Sequence, residues 1–332
     1  MRAMILERQA PIDSAPLAAR DVPAPEPGPG EVRVKVRACG LCRTDLHVVE
    51  GDLPARKLPL IPGHQVVGVV DRLGPGVKRF REGDRIGIAW LRHTCGKCDY
   101  CRSGRENLCE SSLFTGYHAD GGYAEYAVVP EAFAYALPEL FGDAEATPLL
   151  CAGIIGYRSF LRSNTPDGGR LGLWGFGSSA HITIQIARAR GIEVYVATRD
   201  EKHQRLAREL GATWVGGGND DLPVKVHGGI LFAPAGGIVP RALRSLDKGG
   251  TLAIAGIWLS PIPGLDYERE LFYEKDLRSV TANTREDGEA LLREAAAIPI
   301  RPRVETMPLE TANVGLKRLK NDDLNGTGVL VL

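Results

Sequence analysis

Residues 170–197 read RLGLWGFGSSAHITIQIARARGIEVYVA, and this stretch decides the fold. Residues 170–174 form a short apolar run of the kind that makes a buried strand. The turn that follows, Gly175-Phe176-Gly177-Ser178-Ser179-Ala180, is a G-x-G-x-x-A sequence. It opens a helical pattern over 178–190, in which Ala180, Ile184 and Ala187 share a face and Gly191 is the stop. Residues 193–197 are a second strand. Strand, glycine turn, helix and strand in this order predict the first unit of a doubly wound parallel sheet that binds a dinucleotide. The glycines allow close approach to a pyrophosphate, and the helix N-terminus offers N–H donors to it.

The alternation continues downstream. Residues 201–210 read as a helix ending at Gly211, and 230–233 and 251–257 as further strands; the apolar run 254–259 also suits a buried strand. Upstream the texture differs. Residues 31–37 alternate apolar Val32, Val34 and Val36 with charges, and 65–72 and 85–89 are similar short runs bounded by turn residues. They predict a compact, partly open β barrel. Residues 23–30 read as a rigid surface loop. From about residue 287 the chain turns helical again and ends in a strand over 328–332. The expected class is α/β, with a barrel-like domain at 1–150, the parallel-sheet domain at 151–286 and a return to the first domain at 287–332.

At 332 residues and 44% hydrophobic content the chain can bury two cores. Its 41 Lys and Arg balance 41 Asp and Glu, which argues against a nucleic-acid partner or an anionic membrane. No run approaches the length of a membrane span. The first ten residues lack a charged-then-apolar leader, so a cytoplasmic location is expected.

Seven cysteines occupy positions 39, 42, 95, 98, 101, 109 and 151. Cys95-x2-Cys98-x2-Cys101-x7-Cys109 places four thiols in one loop. Tetrahedral zinc accepts four sulfurs, and such a closed site has no open position, so it serves to hold the loop. A ferredoxin-type cluster would have three residues before the last cysteine and a proline after it; here there are seven, and Glu110 follows. Lys97, Arg102 and Arg105 are placed to offset the negative charge of four thiolates.

A second, dispersed set is Cys39-Gly-Leu-Cys42-Arg43-Thr44-Asp45-Leu46-His47, then Pro62-Gly63-His64, Gly83-Asp84-Arg85, and Leu150-Cys151-Ala152-Gly153. Taken singly, each cysteine here is an ordinary small core residue and each histidine an ordinary hydrogen-bonded one. Together with the four-cysteine loop and the glycine turn, and in this order, they resemble the zinc-containing medium-chain alcohol dehydrogenase family, from about residue 20 to the C-terminus.

The resemblance implies a GroES-like catalytic domain beside the Rossmann-type cofactor domain, and two zinc ions per chain. Cys42, His64 and Cys151 would ligate the catalytic ion and leave a fourth position open. Zinc would supply Lewis-acid activation of an alcohol, and hydride would pass reversibly between a small primary or secondary alcohol, or its aldehyde, and a nicotinamide. An NADPH-preferring aldehyde reductase of the cinnamyl-alcohol type is the alternative. Thr44 would take the alcohol proton and pass it, through the cofactor ribose, to His47. Asp45 would orient the His64 imidazole. Arg43 would meet the pyrophosphate. Trp90, Leu53 and Leu113, with Thr44, would line the substrate pocket, and Ile257 would border the cofactor and pocket. Cys39 has no ligand role in the family. Pairing of two or four copies through the cofactor-domain sheet is also implied. One departure stands out: the family often has Glu directly after the ligand histidine, and this chain has Gln65.

Cofactor choice can be read from the second strand. An acid at its end would bond the ribose 2′-hydroxyl of NAD and repel a 2′-phosphate. Thr198-Arg199 stand there instead, with Lys202 a helical turn on, and point to NADP(H). Asp200, if turned inward, would instead accept from the ribose and admit NAD(H).

Overall fold

The computed structural model describes residues 1–298 and 300–332. Its contacts divide the chain into two compact units. One comprises Met1–Cys151, Ala282–Arg293 and Pro302–Leu332; the other comprises Ala152–Thr281 and Glu294–Arg301.

The second unit is built on a six-stranded parallel sheet. Across it run Trp214–Gly216, Glu193–Ala197, Arg170–Trp174, Val226–Leu231, Leu246–Ile254 and Asp276–Ser279. The order reverses between Arg170–Trp174 and Val226–Leu231, the topological switch point where such sheets bind ligands beyond their carboxyl ends. The glycine turn begins there. Gly175 has φ of +90°, a value a side chain would resist, and the helix Ser178–Ala189 follows. The inner strands are buried on both faces, which is why they read as apolar runs rather than as alternation. Trp174 is 1% exposed and lies across Gly172 and Gly229, which pair in register. A Cβ on those glycines would sit 2.7 Å and 2.6 Å from its ring.

One expected strand is shorter than its hydrophobicity suggests. The ladder expected to reach 257 ends at Ile254, and 254–259 is not a buried strand. Ile257 and Trp258 are more than half exposed. Gly256 and the prolines at 261 and 263 explain the stop, since proline cannot donate to a ladder.

The first unit centres on the strand Glu31–Gly40 in a seven-stranded, largely antiparallel sheet. Gln65–Leu73 runs beside it, with Arg85–Ile88 and Ala134–Ala136 beyond. Tyr126–Pro130 and Thr327–Val331 pair with other parts of the same strand, and Val304–Pro308 lies parallel to Thr327–Val331. Register shifts after Arg33 and after Val36 bend it. Val32, Val34 and Val36 face the core, as their alternation requires. Among the described residues, no helix is long and apolar enough to cross a membrane.

Replacing Gly229 with Val forces a branched side chain into the Trp174 ring and is expected to cost about 1–3 kcal/mol. Gly237→Ala, where an added Cβ meets nothing within 4 Å, should stay within about 0.5 kcal/mol of the parent. Equilibrium denaturation of the two variants checks this; equal stabilities would contradict the close packing.

Candidate metal centres and cofactor turn

The helix Arg43–Glu50 begins at Cys42, and its own third residue closes the start: the Cys42 N–H donates to Asp45 Oδ2 at 3.0 Å. Asp45 is 1% exposed. Its other oxygen, Oδ1, lies 2.8 Å from His64 Nδ1. A carboxylate only accepts, so Nδ1 carries a proton, and in the neutral imidazole Nε2 is the lone-pair donor. Nε2 lies 3.2 Å from Cys151 Sγ, which is 3.9 Å from Cys42 Sγ. Tetrahedral zinc with sulfur ligands at about 2.3 Å would separate two sulfurs by about 3.8 Å. The three ligand atoms therefore fit one such ion, and all lie within 4.8 Å of one another.

These donors bind protons as well as a metal, so protonation and metal binding compete at this cluster. Hydrogen bonding from Cys151 pulls the Cys42 thiol well below its usual range against the cost of burial, and the same bond pushes Cys151 up, so the pair shares a proton. Burial alone would lower His64, but the Asp45 carboxylate overrides it and pushes the imidazole up to about 10. Burial raises Asp45, with His64 pulling the other way. Cys39 is fully buried, and burial pushes its thiol well up, as for an inert core cysteine.

Around this cluster the expected residues fall as follows. Thr44 sits in the first helical turn, and its backbone N–H reaches the Cys42 sulfur. His47 is one turn later, its Nδ1 2.7 Å from Asp52 Oδ2. Arg43 forms an ion pair with Asp322 in the same unit. Trp90 meets the His64 ring edge-on at 5.0 Å and stacks on Phe114 at 4.9 Å and Tyr117 at 5.9 Å. Leu53 packs at the edge of the core, its N–H donating to the His47 carbonyl at 3.1 Å. Leu113 is 42% exposed, and its neighbour Phe114 takes the inner face of the short strand. Ile257 lies exposed beyond the end of its strand. Gln65 is buried, its amide packed against Gly40 across the sheet, with Oε1 lacking a hydrogen-bond partner.

The four-cysteine loop closes as its spacing predicts. Cys95, Cys98, Cys101 and Cys109 bring their sulfurs within 4.8 Å of one another. The Cys98 N–H donates to Cys95 Sγ at 3.3 Å, and the Cys95 N–H to Cys109 Sγ at 3.4 Å. Backbone N–H groups of Lys97 and Cys98 draw the Cys95 thiol down to about 6, which favours thiolate. The basic residues of the loop do less than expected: Arg102 is taken by Asp99 at 2.8 Å, and Arg105 lies over the Tyr100 ring.

In the second unit, Thr198 is buried, and Arg199 is exposed with its stem against Gly218. Asp200 does not point at random. It is the N-cap of the helix Glu201–Glu209, accepting from the Lys202 N–H at 2.8 Å, and Lys202 Nζ is 3.7 Å away.

Sequence reasoning missed four groups. Tyr123 donates to Asp45 Oδ2 at 3.2 Å; Asp52 holds His47; Phe114 and Tyr117 back Trp90; and Glu106 ties the cysteine loop to Arg285. The pair Gly121-Gly122 ahead of Tyr123 was the one available signal, since it marks a close backbone approach.

With this geometry established, comparison with known proteins is informative. Residues 28–139 match the model of the alcohol dehydrogenase GroES-like domain, and residues 180–297 match that of the zinc-binding dehydrogenase family. The chain is 51% identical to Probable alcohol dehydrogenase AdhA of Mycobacterium tuberculosis, over 100% of this chain and 97% of that protein. A cinnamyl alcohol dehydrogenase from Sorghum bicolor superposes with a TM-score of 0.89 at 28% identity, covering 99% of this chain and 97% of that one. A cobalt- and zinc-bound thermostable alcohol dehydrogenase from Pyrobaculum aerophilum superposes at 0.88 and 26% identity, over 100% and 99%. The chain belongs to the zinc-containing medium-chain alcohol dehydrogenase family. It is an oxidoreductase with alcohol dehydrogenase activity, acting on small alcohols or aldehydes.

The loop anchor yields a test. Glu106 is 8% exposed and takes Arg285 Nη2 at 2.6 Å, Nε at 3.0 Å and the Arg285 N–H at 2.8 Å. Burial would raise this carboxyl, but the Arg285 bonds outweigh it and hold the group below its ordinary 4.5. A depressed pKa stabilises fully above the ordinary value and loses that contribution as pH falls through the folded one. Glu106→Gln should therefore cost about 1–3 kcal/mol at neutral pH, and the deficit should close as pH falls below 4.5. Urea titrations at several pH values measure it; a deficit independent of pH would refute the assignment.

Proposed function

We propose that the chain is a zinc-dependent, nicotinamide-dependent alcohol dehydrogenase with one open and one closed metal site. The observation that carries this reading is the convergence of Cys42, His64 and Cys151, brought from distant points in the chain, with Asp45 fixing the imidazole. An ion bound there supplies Lewis-acid activation of an alcohol or carbonyl oxygen. The closed four-cysteine set shapes its loop.

The remaining residues bind, orient and move a proton. Thr44 offers a hydroxyl two residues beyond Cys42, suited to accept the alcohol proton. His47, one turn on, passes it to solvent, with Asp52 holding Nδ1 so that Nε2 exchanges it. Trp90, Phe114 and Tyr117 make an aromatic wall beside His64, which suits small or flat substrates and keeps the cinnamyl-type aldehyde reductase as the second reading. Gly175, Gly177, Ser178, Ser179 and Ala180 receive the pyrophosphate at a helix N-terminus. NADP(H) is the preferred cofactor. Asp200 is engaged as a helix cap, and Thr198 and Arg199, with Lys202 beside the same cap, are the residues proposed to meet a 2′-phosphate. Copies pair through the sheet of the cofactor unit, beyond whose strand Leu246–Ile254 the apolar Ile257, Trp258 and Ile262 are exposed.

Elemental analysis should find about two zinc ions per chain and about one after Cys42→Ala. Undiminished metal and activity in that variant would refute the open site. Changing Thr198 to Asp with Arg199 to Ala should move the kcat/KM ratio toward NAD(H) by about tenfold or more, because a new carboxylate repels the 2′-phosphate while a bidentate donor is lost. An unchanged ratio would show that the phosphate binds elsewhere.

A further inference from the structure

Tyr123 is fully buried, and its backbone is stitched to the segment that delivers His64. The Gly121 N–H donates to the Ile61 carbonyl at 2.7 Å, Gly122 N–H to Gly63 at 2.9 Å and Tyr123 N–H to Pro62 at 3.0 Å. Its ring lies over Gly63, where φ is +97° and a Cβ would fall 2.3 Å from Tyr123 Cδ1. The ring is therefore fixed, and so is its hydroxyl.

That hydroxyl is 3.2 Å from Asp45 Oδ2, the oxygen that also takes the Cys42 N–H. The two donors on Oδ2 set the rotation of the carboxylate, and the rotation puts Oδ1 on His64 Nδ1. Without the hydroxyl, Oδ2 keeps one donor, and a lone pair is left desolvated in the core. The carboxylate then gains freedom to turn, and the imidazole loses part of what aims Nε2 at the two thiols.

We infer that Tyr123 is a positioning residue: its hydroxyl, acting through Asp45, holds His64 in the orientation that retains the ion of the open site. The inference rests on reading Cys42, His64 and Cys151 as that site. It assigns a role to a side chain that touches neither metal, substrate nor cofactor.

The test is zinc release from the intact enzyme to a chromophoric chelator. Cys42→Ala first identifies which kinetic phase belongs to the open site. If that variant loses no phase, the metal-site reading itself falls, before Tyr123 has been altered. Tyr123→Phe keeps the ring that packs on Gly63 and removes only the hydroxyl. It should speed the open-site phase roughly 3- to 10-fold, less than the effect of deleting a direct partner of a ligand. The phase from the four-cysteine site should be unchanged and serves as the folding control. With cobalt in place of zinc, the visible ligand-field band of the open site should shift. In an Asp45→Asn background, adding Tyr123→Phe should alter release by less than about twofold, because the intermediary is already gone. Release unchanged in the single variant, or accelerated equally in both backgrounds, would overturn the inference.

Discussion

A buried carboxylate is tolerated only when its lone pairs are used, and Asp45 meets that condition with donors from three stretches of chain. The Cys42 N–H belongs to the start of a helix, His64 to the entry of a central strand, and Tyr123 to a segment that follows two glycines. The negative charge also sits in the first turn of its helix, where free N–H groups favour it. Neutralise it, and three things change together: the helix start loses an acceptor, His64 loses the partner that sets its tautomer, and a buried phenol is orphaned. Asp45 thereby couples the helix start at Cys42 to the orientation of His64.

The two cysteine sets differ in how much of this support they need. In the loop from Cys95 to Cys109 the ligands are neighbours, so the backbone between them supplies the N–H groups that stabilise thiolate. Ligand spacing and support are written in the same fifteen residues, and that is why the closed site was legible from spacing alone. The open set draws on positions 42, 64 and 151, and nothing local distinguishes its histidine from one in an ordinary core. Family resemblance tied them together, and also indicated Asp45. Tyr123 stayed hidden for a physical reason: a buried aromatic is expected wherever a core needs volume, and the direction of one hydroxyl is a tertiary property.

The parallel sheet was legible because strands covered on both faces read as continuous apolar runs flanked by glycine turns. The same rule failed at 254–259. Apolar content there marks a surface segment, and the prolines that follow carried the better information. Leu113 was implied by resemblance alone, and the structure leaves it 42% exposed. In a two-residue strand adjacent side chains take opposite faces, and Phe114 is the one stacked on Trp90.

Cofactor choice illustrates why residue type at a strand end is an incomplete signal. An acid there selects against a 2′-phosphate only if its carboxylate is free to face the ribose. Asp200 lies close enough in sequence to do so, yet it begins a helix, and the Lys202 N–H and ammonium hold it. An N-cap of this kind is worth about 1 kcal/mol. Turning Asp200 toward a ribose would forfeit that cap and leave a helix donor unpaired, so the ribose bond would have to exceed both losses. The balance between a local cap and a ligand contact, rather than the presence of an acid near the strand, decides what Asp200 can contribute to a ribose.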